Sequence, residues 1–292
     1  MTRIIFYAVL LGILSVVGDC LYALDLSENF LEEPRRKVNY KILGGLGSIY
    51  VGTAVGIHIY QADAWWSGQR TSFHFQNDWE YALWQDKLGH MYAAYLTQHI
   101  CSGWFEAAGV SPVRTLWTSA LLAFAFETWI EIEDGFGPQW GFSPGDFTAN
   151  TVGAFLPVVQ YYAPALSYFM YKISYYPKNF GKDMGGGHKP IVSDDYEGQK
   201  YWIAPRIHPL LPASWQDDLP PWLTVAVGTS VSDLDGSGGG HRDWYLALDL
   251  DVEAIPLKGP VWNYIKRTFN KIHLPLPGVR LTRKKAFSLF CY

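Results

Sequence analysis

Charge, cysteine and the familiar catalytic signatures are what this 292-residue chain has least of. Only 17% of its residues are charged, against 49% hydrophobic, which excludes an intrinsically disordered chain. Its 23 basic residues do not outnumber its 27 acidic ones, and an isoelectric point of about 6.0 excludes a strongly basic nucleic-acid binder. Three cysteines give neither a disulfide framework nor a cysteine zinc site, and Cys101 and Cys291, both in apolar surroundings, are expected to be buried free thiols. No H-E-x-x-H, G-x-S-x-G, phosphate-binding loop or paired-cysteine motif occurs. Asp233, Asp235 and Gly236 lack the further ligands of a calcium loop and read as a hairpin turn. His188, His208, His241 and His273 are scattered without ligand spacing.

Aromatic residues are abundant instead, at 16% with 13 Trp and 19 Tyr, a composition suited to a membrane–water interface. A mean hydropathy of −0.01 is too low for a chain made only of spanning helices, so part of it is solvated. The N-terminus carries Arg3, then an apolar run from Ile4 to Val17, then Ala23 as the small residue of a cleavage site. Residues 1–24 therefore read as a signal peptide or an N-terminal anchor, placing the protein in an exported, cell-envelope class. Cys20 invites lipidation, but Asp19 before it fits that motif poorly.

Residues 41–61 form the first apolar helix, with Gly44, Ser48, Gly52 and Gly56 on one face that predicts close helix–helix packing. A second helix runs from about Trp79 or Asp86 to Ala108. A third follows Ser111-Pro112, where Ser caps and Pro suits the first turn, and reaches Glu133. A fourth runs from about Pro144 to Tyr171, kinked at Pro157 and Pro164. Residues 174–222, with seven of the 17 prolines, read as an irregular connector. Beyond it, Leu246, Leu248, Leu250 and Val252 alternate with Ala247, Asp249, Asp251 and Glu253, the pattern of a strand with one buried face. Its partner is Trp222 to Val231, with 235–240 as the turn. After Glu253 the chain has eight basic residues and no acidic one. There Val261, Ile265, Phe269 and Ile272 share a helical face with Trp262 beside them, while Lys266, Arg267 and Lys271 lie away from it. That is a basic amphipathic helix suited to anionic lipid headgroups, or equally a solvated charged face.

The chemistry-bearing residues are polar groups inside apolar helices. Asp86, Lys87 and His90 head the second helix, with Asp86 and His90 one turn apart. Glu127 and Glu131 are likewise one turn apart in the third helix, with Asp134 following. Asp146 and Asn150 repeat the spacing in the fourth. In an up-down bundle these groups converge at one end. Three readings stay open. The cluster is a satisfied ion-pair network with Lys87 and His90 neutralising Glu127 and Glu131; a divalent-metal or headgroup site, with His90, Glu131 and Asp146 as ligands; or an acid–base catalytic set.

Ser72-Phe-His-Phe-Gln-Asn-Asp78, Asp86-Lys-Leu-Gly-His90, Glu127 to Glu131, Asp134-Gly-Phe136 and Trp140-Gly-Phe-Ser-Pro-Gly-Asp146 together resemble the YfiM-like domain-of-unknown-function family of bacterial envelope proteins. The resemblance covers about residues 40–175. Tyr201-Trp202, Pro221-Trp222 and Tyr245 to Asp251 are similar to the longer, Bacteroidetes-type members. More distantly, D-K-x-x-H, the mid-helix Glu and Asp146-x-x-x-Asn150-x-x-Gly153 resemble VanZ-like membrane proteins linked to glycopeptide-antibiotic tolerance. The resemblance implies a helical bundle and an envelope location, and no reaction.

The expected fold is mainly α, with about four hydrophobic helices in a membrane-associated bundle followed by a small antiparallel β region. The expected organisation is a signal or anchor over 1–24, a helical bundle over 40–175, a connector over 176–221, and a β region with the basic helix over 222–292. The expected function is that of a structural or headgroup-binding envelope protein with membrane lipids as partners and no nucleic acid. The rival is an enzyme acting on an envelope lipid or glycan precursor, with a divalent metal as the candidate cofactor.

Overall fold

The computed structural model describes residues 37–66, 70–182, 189–236, 238–283 and 285–292. The segment 1–24, with Cys20, lies outside the described residues. The described residues divide into two compact units, each described by itself: residues 37–76 with 93–158, and residues 77–92 with those described in 159–292.

The first unit is helical. Helix α1 (Tyr40–Trp65) starts where the Asn39 side chain accepts the amides of Lys41 and Ile42, satisfying donors that a helix start leaves open. Its packed face is not the small-residue stripe. A Cβ added at Gly44, Gly52 or Gly56 would meet nothing, whereas one at Gly47 would fall 2.7 Å from the Trp104 ring. Trp104 also stacks on Tyr50 and donates to the Leu43 carbonyl. The contact is made by Trp104 of the neighbouring helix against Gly47, which lies off that stripe. The unit further contains residues 93–107 of α2 (Gln85–Ala107), all of α3 (Pro112–Asp134), and α4 (Pro144–Tyr162) as far as Val158. Ser111 occupies the α3 N-cap position, but its side chain makes no capping bond. Segment 71–76 is pinned to the turn after α3 by His74 N–H to Gly135 O and Phe142 N–H to His74 O. Gly135 is needed there, because a Cβ would lie 2.3 Å from the Phe73 ring.

The second unit is a six-stranded antiparallel meander in the order β1 (Phe169–Tyr175), β2 (Gln199–Pro205), β3 (Leu223–Ser232), β4 (His241–Leu250), β5 (Leu276–Arg280) and β6 (Ala286–Cys291). A short helix α5 (Pro260–Phe269) precedes β5, and segment 271–273 bonds to β1 at Ile173. The sheet is rolled. Trp202 of β2 stacks on His273 at 3.9 Å, and the His273 ring bonds the Cys291 carbonyl of β6.

This overturns the four-helix membrane fold. Among the described residues only α1 is long and apolar enough to cross a membrane, and the sheet is a major element, not an appendage. The expected fourth helix ends at Tyr162: Pro164, which lacks an amide proton, opens a 3-10 turn and the chain then enters β1. The connector contains β2, whose ladder to β1 runs over seven residue pairs. The hairpin of β3 and β4 forms where alternation puts it, but inside out. Asp243, Ala247 and Asp249 are buried, while Leu246 and Leu248 are exposed.

Candidate functional site

Asp86, Lys87 and His90 sit in the first turns of α2, within the second unit, where the helix dipole favours the Asp86 carboxylate. Lys87 Nζ lies 2.9 Å from Asp78 Oδ2 and 2.8 Å from Asp86 Oδ2. Tyr196 donates its hydroxyl to Asp86 Oδ1 at 2.6 Å, and His90 Nε2 is 3.7 Å from the same oxygen. Burial alone would raise the Asp86 carboxyl; His90, Lys87 and the Tyr196 hydrogen bond outweigh it and hold the group below its ordinary value. Burial, reinforced by Asp86, pushes the Tyr196 phenol well up, so it stays a donor. Immediately before α2, Ala82, Leu83 and Trp84 all adopt left-handed backbone, at φ 48°, 54° and 70°. Each such non-glycine residue costs about 1–2 kcal/mol.

The first unit holds the remaining candidates. Ser143 caps α4, its hydroxyl accepting the Asp146 amide at 3.0 Å, and Pro144 occupies the first turn. The Ser143 amide in turn donates to Glu131 Oε2 at 3.3 Å, and Asn150 donates to Glu131 Oε1 at 3.4 Å. Glu131, Ser143 and Asn150 are thus brought together, with Asp146 tied to them through the cap; all four are buried. Glu127 accepts from Thr97 at 3.4 Å, and Asp134 accepts from the Trp66 indole at 2.6 Å. Next to Asp134, Glu133 pairs with Arg70 at 2.7 Å. The expected ligands His90, Glu131 and Asp146 are divided between the two units.

Sequence spacing missed the most deeply buried charges. In the rolled sheet Lys172 Nζ lies 2.7 Å from Asp249 Oδ2, and Asp249 Oδ1 lies 3.2 Å from His273 Nδ1, with Lys172 and Asp249 both 0% exposed. Burial would raise the Asp249 carboxyl, but the His273 hydrogen bond and Lys172 hold it below its ordinary value. Burial pulls the Lys172 ammonium down against the attraction of Asp249. A second group joins Arg206 to Asp251 at 3.0 Å and to Glu253 at 2.8 Å, and a third joins Arg283 to Asp243 at 2.7 Å. The available signal was the acidic register of β4, in which Asp243 and Asp249 share a strand face with Ala247.

The four membrane-contact residues are placed differently from one another. Trp262 is exposed with Val261, Phe269 and Ile272. Lys266 turns inward and donates to the carbonyls of Glu253 and Ile255 at 3.1 and 2.9 Å, and Arg267 is half-buried. Lys271 is only 7% exposed, and burial pushes its ammonium down to about 7. The apolar face of α5, not its basic face, is the one that reaches solvent.

Residues 74–162 match the family described as predicted periplasmic lipoprotein (DUF2279). No curated protein and no solved structure matches the chain. The family match supports an envelope family of unknown function, and the chain is an exported, membrane-associated protein of the bacterial cell envelope.

Proposed function

We propose that this envelope protein is a structural or headgroup-binding component of a membrane surface, whose buried charge clusters hold the fold together and carry out no reaction. The observation that supports it is Lys87, seated 2.9 and 2.8 Å from two carboxylates, one of which also accepts the Tyr196 hydroxyl. A buried cation between two carboxylates, with a neutral donor completing the set, is the arrangement of a satisfied network. The YfiM-like and VanZ-like resemblance of the D-K-x-x-H and Trp140–Asp146 motifs belongs to the same reading. The backbone favours the enzymatic or metal-binding rival: three consecutive left-handed residues precede Asp86 and His90, and strained backbone collects at functional sites.

Calorimetry and metal analysis of the purified chain separate the two. Removing one partner of a buried pair costs about 3–5 kcal/mol, and each kcal/mol shifts a unit of this size by about 2–4 °C, so Lys87→Met should lower the melting temperature by about 10 °C. His90→Ala, which removes the largest attraction on the buried Asp86 carboxylate, should lower it by several degrees, and a chelator should leave the parent unchanged. A stoichiometric divalent metal that His90→Ala releases would overturn the structural reading in favour of its rival.

A further inference from the structure

We infer that the outer face of the rolled sheet is a lipid-contacting belt, seated in the hydrocarbon of one leaflet of an envelope bilayer. The inference rests on the membrane association of the chain and assigns it a surface.

One row of cross-strand partners crosses five consecutive strands: Ile203, Val227, Leu246, Val279 and Phe287. Every member is apolar and exposed, Ile203, Leu246 and Phe287 by 53%, 44% and 66%. Leu248, Leu289 and Phe169 extend the exposed apolar area along β4, β6 and β1. The next row on the opposite face runs Trp202, Gly228, Tyr245 and Arg280, and that face also carries Lys172, Asp249 and Asp243 with His273 beneath them. A solvated antiparallel sheet puts apolar residues inside and polar ones outside. Here the charges are inside, paired with one another, and the aliphatic side chains are outside. That partition matches a lipid-facing sheet.

The charge pattern and shape favour lipid over a protein partner. The row contains no charged or hydrogen-bonding side chain, so it offers nothing to orient a partner with a polar rim. It also continues around a rolled sheet, a convex surface that fluid acyl chains cover without a matching concavity. Strand length sets the depth. β3 and β4 have ten residues each, but β5 and β6 have five and six, reaching only about 17–20 Å at about 3.3 Å per residue, short of a hydrocarbon core of about 30 Å. The belt therefore enters one leaflet and does not cross. At its other end the outer face is covered within the same unit, where Tyr171 donates to the Leu88 carbonyl and Gln85 to the Gln199 carbonyl.

The test uses the full chain with Leu246→Cys carrying an environment-sensitive fluorophore, and vesicles of phosphatidylethanolamine and phosphatidylglycerol with or without acyl-chain doxyl lipid. Cys101 and Cys291 are buried, and the parent chain labelled in parallel corrects for native thiols. Val279→Cys is the second position should the first variant fold poorly, and the exposed loop residue Asp218, changed to Cys, is the control. With vesicles, the label at 246 or 279 should brighten several-fold and lose that signal to doxyl lipid, while the label at 218 does neither. If the chain floats with vesicles and the labels at 246 and 279 stay unchanged, the belt is refuted and membrane association stands. If the chain does not float, both fall. Brightening that needs no lipid and rises with protein concentration would assign the face to a second copy instead, and would overturn the proposal.

Discussion

The helical unit and the sheet unit both bury charge in an aromatic-rich chain, but they satisfy it differently. In the sheet unit the carboxylates of Asp78, Asp86, Asp249, Asp251 and Asp243 lie against Lys87, Lys172, Arg206 and Arg283. In the helical unit Glu133 is likewise paired with Arg70, whereas Glu131 accepts from a backbone amide and an asparagine, and Glu127 from a threonine. The difference teaches where neutralising a carboxylate should matter. Where a cation is locked on it, losing the charge strands the cation. Where donors are amides and hydroxyls, an uncharged isostere keeps much of the bonding.

The largest expected effect is in the sheet. Asp249→Asn leaves Lys172 without its buried counter-charge and His273 without its carboxylate neighbour, and should cost about 3–5 kcal/mol, read as a fall of about 10 °C in melting temperature. Its pH signature has a fixed sign. Because the folded carboxyl titrates below its unfolded value of about 3.9, its contribution is present above that pH and is lost as the pH falls through the folded value. A parent chain that keeps its full stability advantage over Asp249→Asn in acid, below the folded value, would remove this half of the comparison. Gly228→Ala comes next, since its Cβ would lie 2.2 Å from the Trp202 ring in the packed interior. Overpacking of that kind costs about 1–3 kcal/mol, measurable by chemical denaturation.

Lys271 sharpens the contrast within the sheet unit. With a folded value of about 7, it binds fewer protons folded than unfolded up to about pH 10.4. Its burial penalty is therefore full below about pH 7 and is relieved as the pH rises toward 10. Lys271→Met should be more stable than the parent at pH 7 and should lose that advantage by pH 10, as melting curves at the two pH values would show. The smallest effect belongs to the helical unit: Glu131→Gln should cost about 1 kcal/mol, or roughly 2–4 °C. A loss as large as that of Asp249→Asn would erase the distinction between the units.

How much of this the sequence shows depends on range. Helix starts and one-turn spacing are local, and the α3 and α4 starts, together with the Asp86–His90 pair, are legible from Pro112, Pro144 and D-K-x-x-H, although Ser111 makes no capping bond. The β3–β4 hairpin is legible from alternation, but alternation says only that two faces differ. The usual assignment of leucines to the core fails here, because Asp249 finds Lys172 and His273 on distant strands and segments. No spacing rule links those three. β1 was hidden because Met170, Tyr171, Lys172 and Ser174 are buried on both sides of the strand, which removes the period-two signal and lets the run pass for the end of a helix. β2 was hidden by the prolines around it. The small-residue face of α1 misled in the opposite sense: the spacing is there, and the packing is not.

The inverted sheet is tested most directly by its whole outer row. Single labelled cysteines placed in turn at Ile203, Val227, Leu246, Val279 and Phe287 can be read against vesicles carrying doxyl groups at graded acyl-chain depths. The expected result is quenching at all five positions, with a common depth within one leaflet. Labels that remain water-exposed on vesicle-bound protein at most of these positions would contradict it, and would leave the buried charges of Lys172, Asp249 and His273 inside a sheet whose apolar outer face has another occupant.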